Sequence, residues 1–230
     1  MKISIIIPFH DEAENVAMVL TEVRRTNPDA EIIAVNDGSR DGTEALIRQH
    51  QDVRLLSWPR CLGQSAALYA GLKSARGDVC VMMDGDGQND PADIPKLVAR
   101  LAEADVVCGY RWNRQCDWRR RGASWLANGI RRLVLRDTVR DTGCTLKAMR
   151  KSDIRHLIPF NGLHRYLPVF FNHAGLRVVE VPVNHRARQH GKSKYTVGER
   201  AVRGLYDLIG VRWLLARKIP WPESKENPPE

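Results

Sequence analysis

The chain has 230 residues, 43% of them hydrophobic, which is long enough to bury one core and too apolar for intrinsic disorder, so one domain with a C-terminal appendage is expected. A formal net charge of +9 points to an anionic partner and does not choose between a nucleotide, a nucleic acid and an anionic lipid surface. The five cysteines, Cys61, Cys80, Cys108, Cys116 and Cys144, contain no C-x-x-C pair, which argues against a disulfide framework or a zinc motif and fits a reducing compartment.

The β-branched run from Lys2 to Pro8 predicts a buried parallel strand, and Asp11 with Glu14 three residues later has the spacing of a helix capping box. Val16, Val19, Leu20 and Val23 then repeat at helical spacing. The cycle recurs as a strand over Glu31 to Val35, a helix near Thr43 to His50, a strand over Val53 to Leu56 and a helix over Ser65 to Ser74. A strand over Asp78 to Met83, a helix over Ile94 to Glu103 and a strand over Asp105 to Cys108 follow. Such alternation predicts an α/β fold with a mainly parallel sheet covered by helices, and such sheets bind ligands outside the carboxyl ends of their strands. Asp37, Asp84 and Asp86 all fall at those ends. Beyond Gly109 the pattern loosens into a basic stretch from Arg111 to Arg121, a helical segment from Trp125 to Leu135 and a mixed region closed by a strand over Arg177 to Val183. The domain is assigned to 1–197, an amphipathic helix to 198–219, and a Pro- and charge-rich disordered tail to 220–230.

The sharpest chemical feature is Asp84-Gly-Asp-Gly-Gln-Asn-Asp-Pro91, directly after the hydrophobic strand. Asp84 and Asp86 are alternate residues leaving a strand, so both carboxylates can face one pocket. Hard oxygen ligands suit Mg2+ or Mn2+ bridging to a diphosphate, and Gln88 can add a neutral oxygen. An Asp/Gly-rich surface turn that binds nothing is the alternative for such a motif alone. Ile5-Ile-Ile-Pro-Phe-His-Asp-Glu12 and Ala34-Val-Asn-Asp-Gly-Ser-Arg-Asp-Gly-Thr43, at two other strand ends of the same sheet, favour the functional reading.

The blocks Pro8 to Glu12, Asn36 to Thr43, Gly63-Gln64, Asp84 to Pro91 and His190-Gly-Lys-Ser-Lys-Tyr195 resemble inverting family 2 glycosyltransferases, specifically the polyprenyl-phosphate, dolichol-phosphate mannosyltransferase-like branch. The likeness runs from about Ile3 to about Tyr195. It implies a GT-A type nucleotide-sugar-binding fold and a metal-dependent hexosyltransferase. By the same resemblance Pro8, Glu12 and Asp37 hold the nucleoside, and Asp84, Asp86 and Gln88 bind the metal and the diphosphate. Asn36 departs from the aspartate often found there. Arg111, in Cys108-Gly-Tyr-Arg111, corresponds to an arginine that meets the acceptor phosphate, with Arg120, Arg121 and Ser124 as further contacts. Guanidinium is well matched to a phosphate monoester. The glycine and alternating cations of His185 to Tyr195 suit a segment that folds over a diphosphate, with Arg188, Ser193 and Lys194 as contacts. A nucleic-acid patch is set aside because that run almost lacks aromatic residues for base stacking.

Family 2 members acting on sugar hydroxyls often carry a Glu-Asp pair late in the domain, and this chain has none. Asp141-Thr-Gly-Cys-Thr-Leu-Lys147 stands in the corresponding place and resembles the polyprenyl-phosphate branch, with Asp141 orienting sugar or arginine, or else capping a turn. A phosphate monoester has a second pKa near ~6 and is already an oxyanion at neutral pH, so it needs little help from a base. The N-terminus does not have the form of a signal peptide, and no apolar run approaches the ~18 residues of a spanning helix. Trp125, Leu126, Ile130, Leu133 and Val134 alternate with Arg131, Arg132 and Arg136, as Leu205, Leu208, Ile209, Val211 and Trp213 do with Arg203, Arg212 and Arg217. Both patterns suit shallow docking on an anionic membrane, although a buried helix with a polar edge reads the same way.

The expectation is therefore a cytoplasmic protein, peripheral at the membrane face, that moves a hexose from GDP-mannose or a UDP-sugar to a polyprenyl phosphate. A membrane-protein partner subunit is compatible with it. The alternatives are a soluble family 2 transferase with a non-lipid acceptor and a non-catalytic nucleotide-sugar-binding subunit.

Overall fold

The computed structural model of the chain describes residues 1–112, 129–188 and 197–217, the side chains of 197–203 excepted. Seven strands form one sheet in the order β3-β2-β1-β4-β6-β5-β7: β1 (Ile3–Phe9), β2 (Glu31–Asp37), β3 (Val53–Trp58), β4 (Val79–Met82), β5 (Val106–Arg111), β6 (Lys147–Arg150) and β7 (Val178–Val183). The first four strands in that order run parallel. β6 is antiparallel to both of its neighbours, and β7 is parallel to β5. Two reversals restore the original direction at β5, so its carboxyl end, at Arg111, reaches the same rim as the ends of β1, β2 and β4.

Alternation along β1 divides its side chains between the two faces. Ile5, Ile7 and Phe9 enter one core with Val16, Val19 and Leu20 of α1 (Ala13–Thr26), Ile47 of α2 (Thr43–Arg48) and Leu97 of α4 (Ile94–Arg100). Ile6 enters the other with Leu68 and Leu72 of α3 (Gln64–Ser74), Leu167 and Phe170 of α5 (Leu163–His173), and Leu208 and Val211 of α6 (Val197–Ala216). Each fully buried isoleucine stabilises the fold by roughly 1.5–3 kcal/mol. α6 thus adds two anchor residues to the second core.

Three expectations from the sequence are corrected. The Asp11/Glu14 capping box does not form. Glu12 is the N-cap of α1 with no side-chain cap, and Asp11, in the left-handed region at φ 50°, accepts instead from the Arg40 backbone N–H at 2.7 Å. Asp41 Oδ2 takes the Ala13 N–H at 3.1 Å, so the second motif caps the helix that follows the first. Residues 129–135 are helical as expected, but Arg131 is buried and ion-paired to Asp137 at 2.9 Å, so it is not part of a membrane-facing set. The mixed region contains β6 and α5, which composition had not separated.

Candidate active site

Asp84 and Asp86 leave β4 at the centre of the rim. Gly85 between them lies against Phe9 and Pro8, where an added Cβ would meet the Phe9 ring at 2.6 Å and the Pro8 carbonyl at 2.7 Å. The contact ties the carboxylate turn to the end of β1, and no other residue fits there. Gln64 Nε2 donates to Asp84 Oδ1 at 2.7 Å, and the Asp84 N–H donates to the buried Asn89 Oδ1 at 2.9 Å. Burial first, and the neighbouring Asp86 charge second, push the Asp84 carboxyl up to about 6, eased by the Thr145 hydroxyl and the positive charges of Lys147 and Arg111. Two carboxylates in one partly dehydrated place repel each other, and a divalent cation relieves both costs. An all-oxygen donor set suits Mg2+ or Mn2+, so the residues present fit such an ion.

Beside them stands an arginine–carboxylate pair. Arg111 Nε and Nη2 donate to the two oxygens of Asp141 at 2.7 and 2.8 Å, and the Arg111 backbone N–H adds a third bond at 3.2 Å. Burial pushes the Asp141 carboxyl up, but Arg111 outweighs it and holds the group below the usual carboxylate range. Glu180 of β7 accepts from the N–H groups of Arg140 and Asp141 and fixes the turn. Gly143 lets the guanidinium lie close, since a Cβ there would stand 2.9 Å from Arg111 Nη2. Lys147, fully buried at the head of β6, donates to the carbonyls of Cys144 and His164. His164 Nδ1 pairs with Ser65 Oγ at 2.8 Å, and burial together with the Arg165 and Lys147 charges lowers its pKa to about 3.

At the other end of the rim, Asp37 is buried and its carboxylate accepts from the Trp58 indole N–H at 2.8 Å, the N–H groups of Leu62 and Gly63 at 2.7 and 2.8 Å, and the Cys61 thiol at 3.2 Å. Burial raises its pKa, but these donors prevail and the group stays below its ordinary value. Asp37 therefore closes the loop over residues 58–63 onto the end of β2. Glu12 accepts from Asn15 Nδ2 at 2.6 Å and from Arg188, bringing two sequence-predicted residues together across the chain. The Gln88 side-chain amide faces His185 and the Arg186 carbonyl at 3.5 Å and so joins the turn to the 185–188 segment. Arg120, Arg121, Ser124, Ser193 and Lys194 lie outside the described residues.

Sequence reasoning gave no role to Gln64, Thr145, Asn89 or Lys147. Gly63-Gln64 is one of the blocks that carry the family resemblance, and its helix-starting place, directly after the loop held by Asp37, is the signal that points to Gln64. Thr145 and Lys147 lie in the Asp141 to Lys147 segment that resembles the polyprenyl-phosphate branch, but their individual roles follow only from the placement of β6 and its entry loop.

Residues 4–158 match the profile of glycosyl transferase family 2. The chain belongs to this family. The transferase is 34% identical over 234 residues to a dodecaprenyl-phosphate galacturonate synthase of Rhizobium johnstonii, covering 95% of this chain and 68% of that protein. It is 32% identical over 217 residues to an undecaprenyl-phosphate 4-deoxy-4-formamido-L-arabinose transferase of Edwardsiella ictaluri, covering 90% of this chain and 66% of the relative. The transferase thus spans about two thirds of each relative's length. Its fold matches the crystal structure of glucosyl-3-phosphoglycerate synthase from Mycobacterium tuberculosis, which contains Mn2+, UDP and phosphoglyceric acid, with a TM-score of 0.71 at 20% identity over 97% of this chain and 80% of that one. The transferase has the GT-A type fold, as expected from its sequence.

Proposed function

We propose that this transferase moves a hexose from a nucleoside diphosphate sugar to the phosphate of a polyprenyl phosphate, with inversion at the anomeric carbon. Its similarity to two relatives named for dodecaprenyl and undecaprenyl phosphate supports the acceptor. The observation that carries the reading is the Arg111–Asp141 pair. Transfer to a neutral hydroxyl needs a carboxylate able to take a proton. Asp141 has both oxygens committed to Arg111 and a lowered pKa, so it is poorly suited to that task. An acceptor that arrives as an oxyanion needs none.

In this reading Arg111, held rigid by Asp141, orients the acceptor phosphate for attack on the side of the sugar opposite the diphosphate. Asp37 keeps the 58–63 loop against the nucleoside, and the Glu12–Arg188 pair brings a cation to the diphosphate side. Arg120, Arg121 and Ser124 extend the acceptor site, and Ser193 and Lys194 the diphosphate site. Asp84 and Asp86, with Gln88 near them, would hold Mg2+ or Mn2+, which when bound neutralises charge on the leaving diphosphate.

No helix among the described residues is long and apolar enough to cross a membrane. Leu205, Tyr206, Ile209 and Trp213 of α6 are exposed beside Arg212 and Arg217, and this face supports docking on an anionic membrane surface.

Transfer of radiolabelled sugar from a panel of nucleotide sugars, with Mg2+ or Mn2+, to undecaprenyl or dolichyl phosphate tests the proposal. Label is expected in the organic phase and lost in Asp86→Ala at unchanged thermal stability. Label confined to a water-soluble product would overturn the acceptor class.

A further inference from the structure

We infer that His10, Asp37 and Cys61 form a second cation site, distinct in chemistry from Asp84 and Asp86, that takes a thiophilic divalent transition metal such as Zn2+. One nitrogen, one oxygen and one sulfur from these residues lie within 4.8 Å of one another. They come from the end of β1, the end of β2 and the loop after β3, so the sheet brings them together.

The distances are close to those a metal needs. Zn–S bonds near ~2.3 Å and Zn–O bonds near ~2.0 Å at a tetrahedral angle put the two ligand atoms about 3.5 Å apart. Cys61 Sγ stands 3.2 Å from Asp37 Oδ2. On metal binding the thiol gives its proton to solvent, and a metal bridge replaces the S–H to Oδ2 hydrogen bond between the same two atoms. The remaining donors to Asp37, from Trp58, Leu62 and Gly63, hold the carboxylate in place. His10 Nδ1 lies 2.7 Å from the Asp37 carbonyl, which sets the ring beside the carboxylate, so only this side chain must close in. Asp11 Oδ2, 3.6 Å from His10 Nε2, adds negative charge to the patch.

Ligand type separates the two sites. Sulfur and imidazole favour Zn2+ or Co2+, whereas the oxygen donors of Asp84 and Asp86 favour Mg2+ or Mn2+. Cys61 is exposed, while Cys80, Cys108 and Cys144 are buried in the sheet and its flanks. The consequence for the reaction rests on the proposed function: a metal fixed at the end of β2 competes with the nucleoside of the donor.

Co2+ titrated into the full chain, read by absorption, tests the site. A thiolate-to-cobalt charge-transfer band is expected, displaced by Zn2+, lost in Cys61→Ser, weakened in His10→Ala and retained in Asp86→Ala. Absence of the band in the parent chain, or its persistence in Cys61→Ser with loss in Cys116→Ser, would overturn the assignment. With Mg2+ saturating, Zn2+ should raise the apparent KM for the nucleotide sugar in the parent and not in Cys61→Ser. A cobalt band dependent on Cys61 but without this competition upholds the metal site and refutes the nucleoside placement alone.

Discussion

Asp141→Asn separates an orienting carboxylate from a catalytic base. The wild-type side chain takes bonds of 2.7 and 2.8 Å from the Arg111 guanidinium and a third of 3.2 Å from its backbone N–H. Asparagine keeps one acceptor oxygen, turns an NH2 group toward the guanidinium and removes the charge. At least one charge-assisted hydrogen bond is lost, each worth ~1.5–3 kcal/mol. The side chains are 15% and 18% exposed, so solvent recovers only part of that loss. A destabilisation of about 2 kcal/mol follows, lowering Tm by roughly 4–8 °C for a chain of this length. Initial rates with each substrate varied should show a raised acceptor KM, an unchanged donor KM and a kcat within about tenfold of wild type. A general base contributes roughly 10²–10⁴-fold. A fall in kcat of that size with acceptor KM unchanged, and the acid limb of the pH–rate profile abolished, would refute the orienting role and with it the argument for an oxyanion acceptor.

His164 carries a pH dependence of defined sign. Its pKa falls from an ordinary 6.5 to about 3, so below pH 6.5 the unfolded chain takes a proton that the native chain refuses, and stability is lost as pH falls. Denaturant unfolding should show the parent losing roughly 2 kcal/mol more than His164→Asn between pH 6.5 and 4.5. Asp84, raised from 3.8 to about 6, has the opposite sign and is common to both chains, so it cancels in the difference. A parallel decline in the two proteins would place His164 in water. On α6, Ile209 and Trp213 are 63% and 59% exposed. If each buries in lipid it contributes about 1.5–3 kcal/mol, so the double substitution Ile209→Glu/Trp213→Glu should weaken cosedimentation with anionic vesicles by at least ~100-fold at unchanged Tm. Undiminished vesicle binding would assign that face another role.

Most of the sheet was legible because its strands carry their own signal. β1, β2 and β4 are built on β-branched or apolar runs, each followed within two residues by Asp or Gly where the chain turns, and their alternation with helices along the chain specified a parallel arrangement. The acidic turn and the two companion motifs were legible for the same reason: they sit at strand ends. β6 was not, since Lys147-Ala-Met-Arg150 contains no β-branched residue and begins with a lysine. α5 was hidden by Pro168 in its interior, which normally argues for a break. Asp11 misled because its spacing to Glu14 is correct, and the capping oxygen comes instead from Asp41, a partner that only tertiary structure supplies.

The strand the sequence concealed is also the one that joins the two halves of the site. β6 runs antiparallel between β4 and β5, with Lys147 registered against Met82 on one side and Cys108 on the other. Met82 is two residues from Asp84 and Cys108 three from Arg111, so a single strand fixes the carboxylate turn relative to the arginine. Its entry loop delivers Thr145 to Asp84 and Asp141 to Arg111, and the buried Lys147 eases the charge of both carboxylates. A parallel strand in that position would enter from the opposite rim and carry those side chains away from the site. The antiparallel insertion therefore lets one rim carry both the Asp84–Asp86 turn and the Arg111–Asp141 pair, the two parts that the proposed transfer onto a phosphate requires.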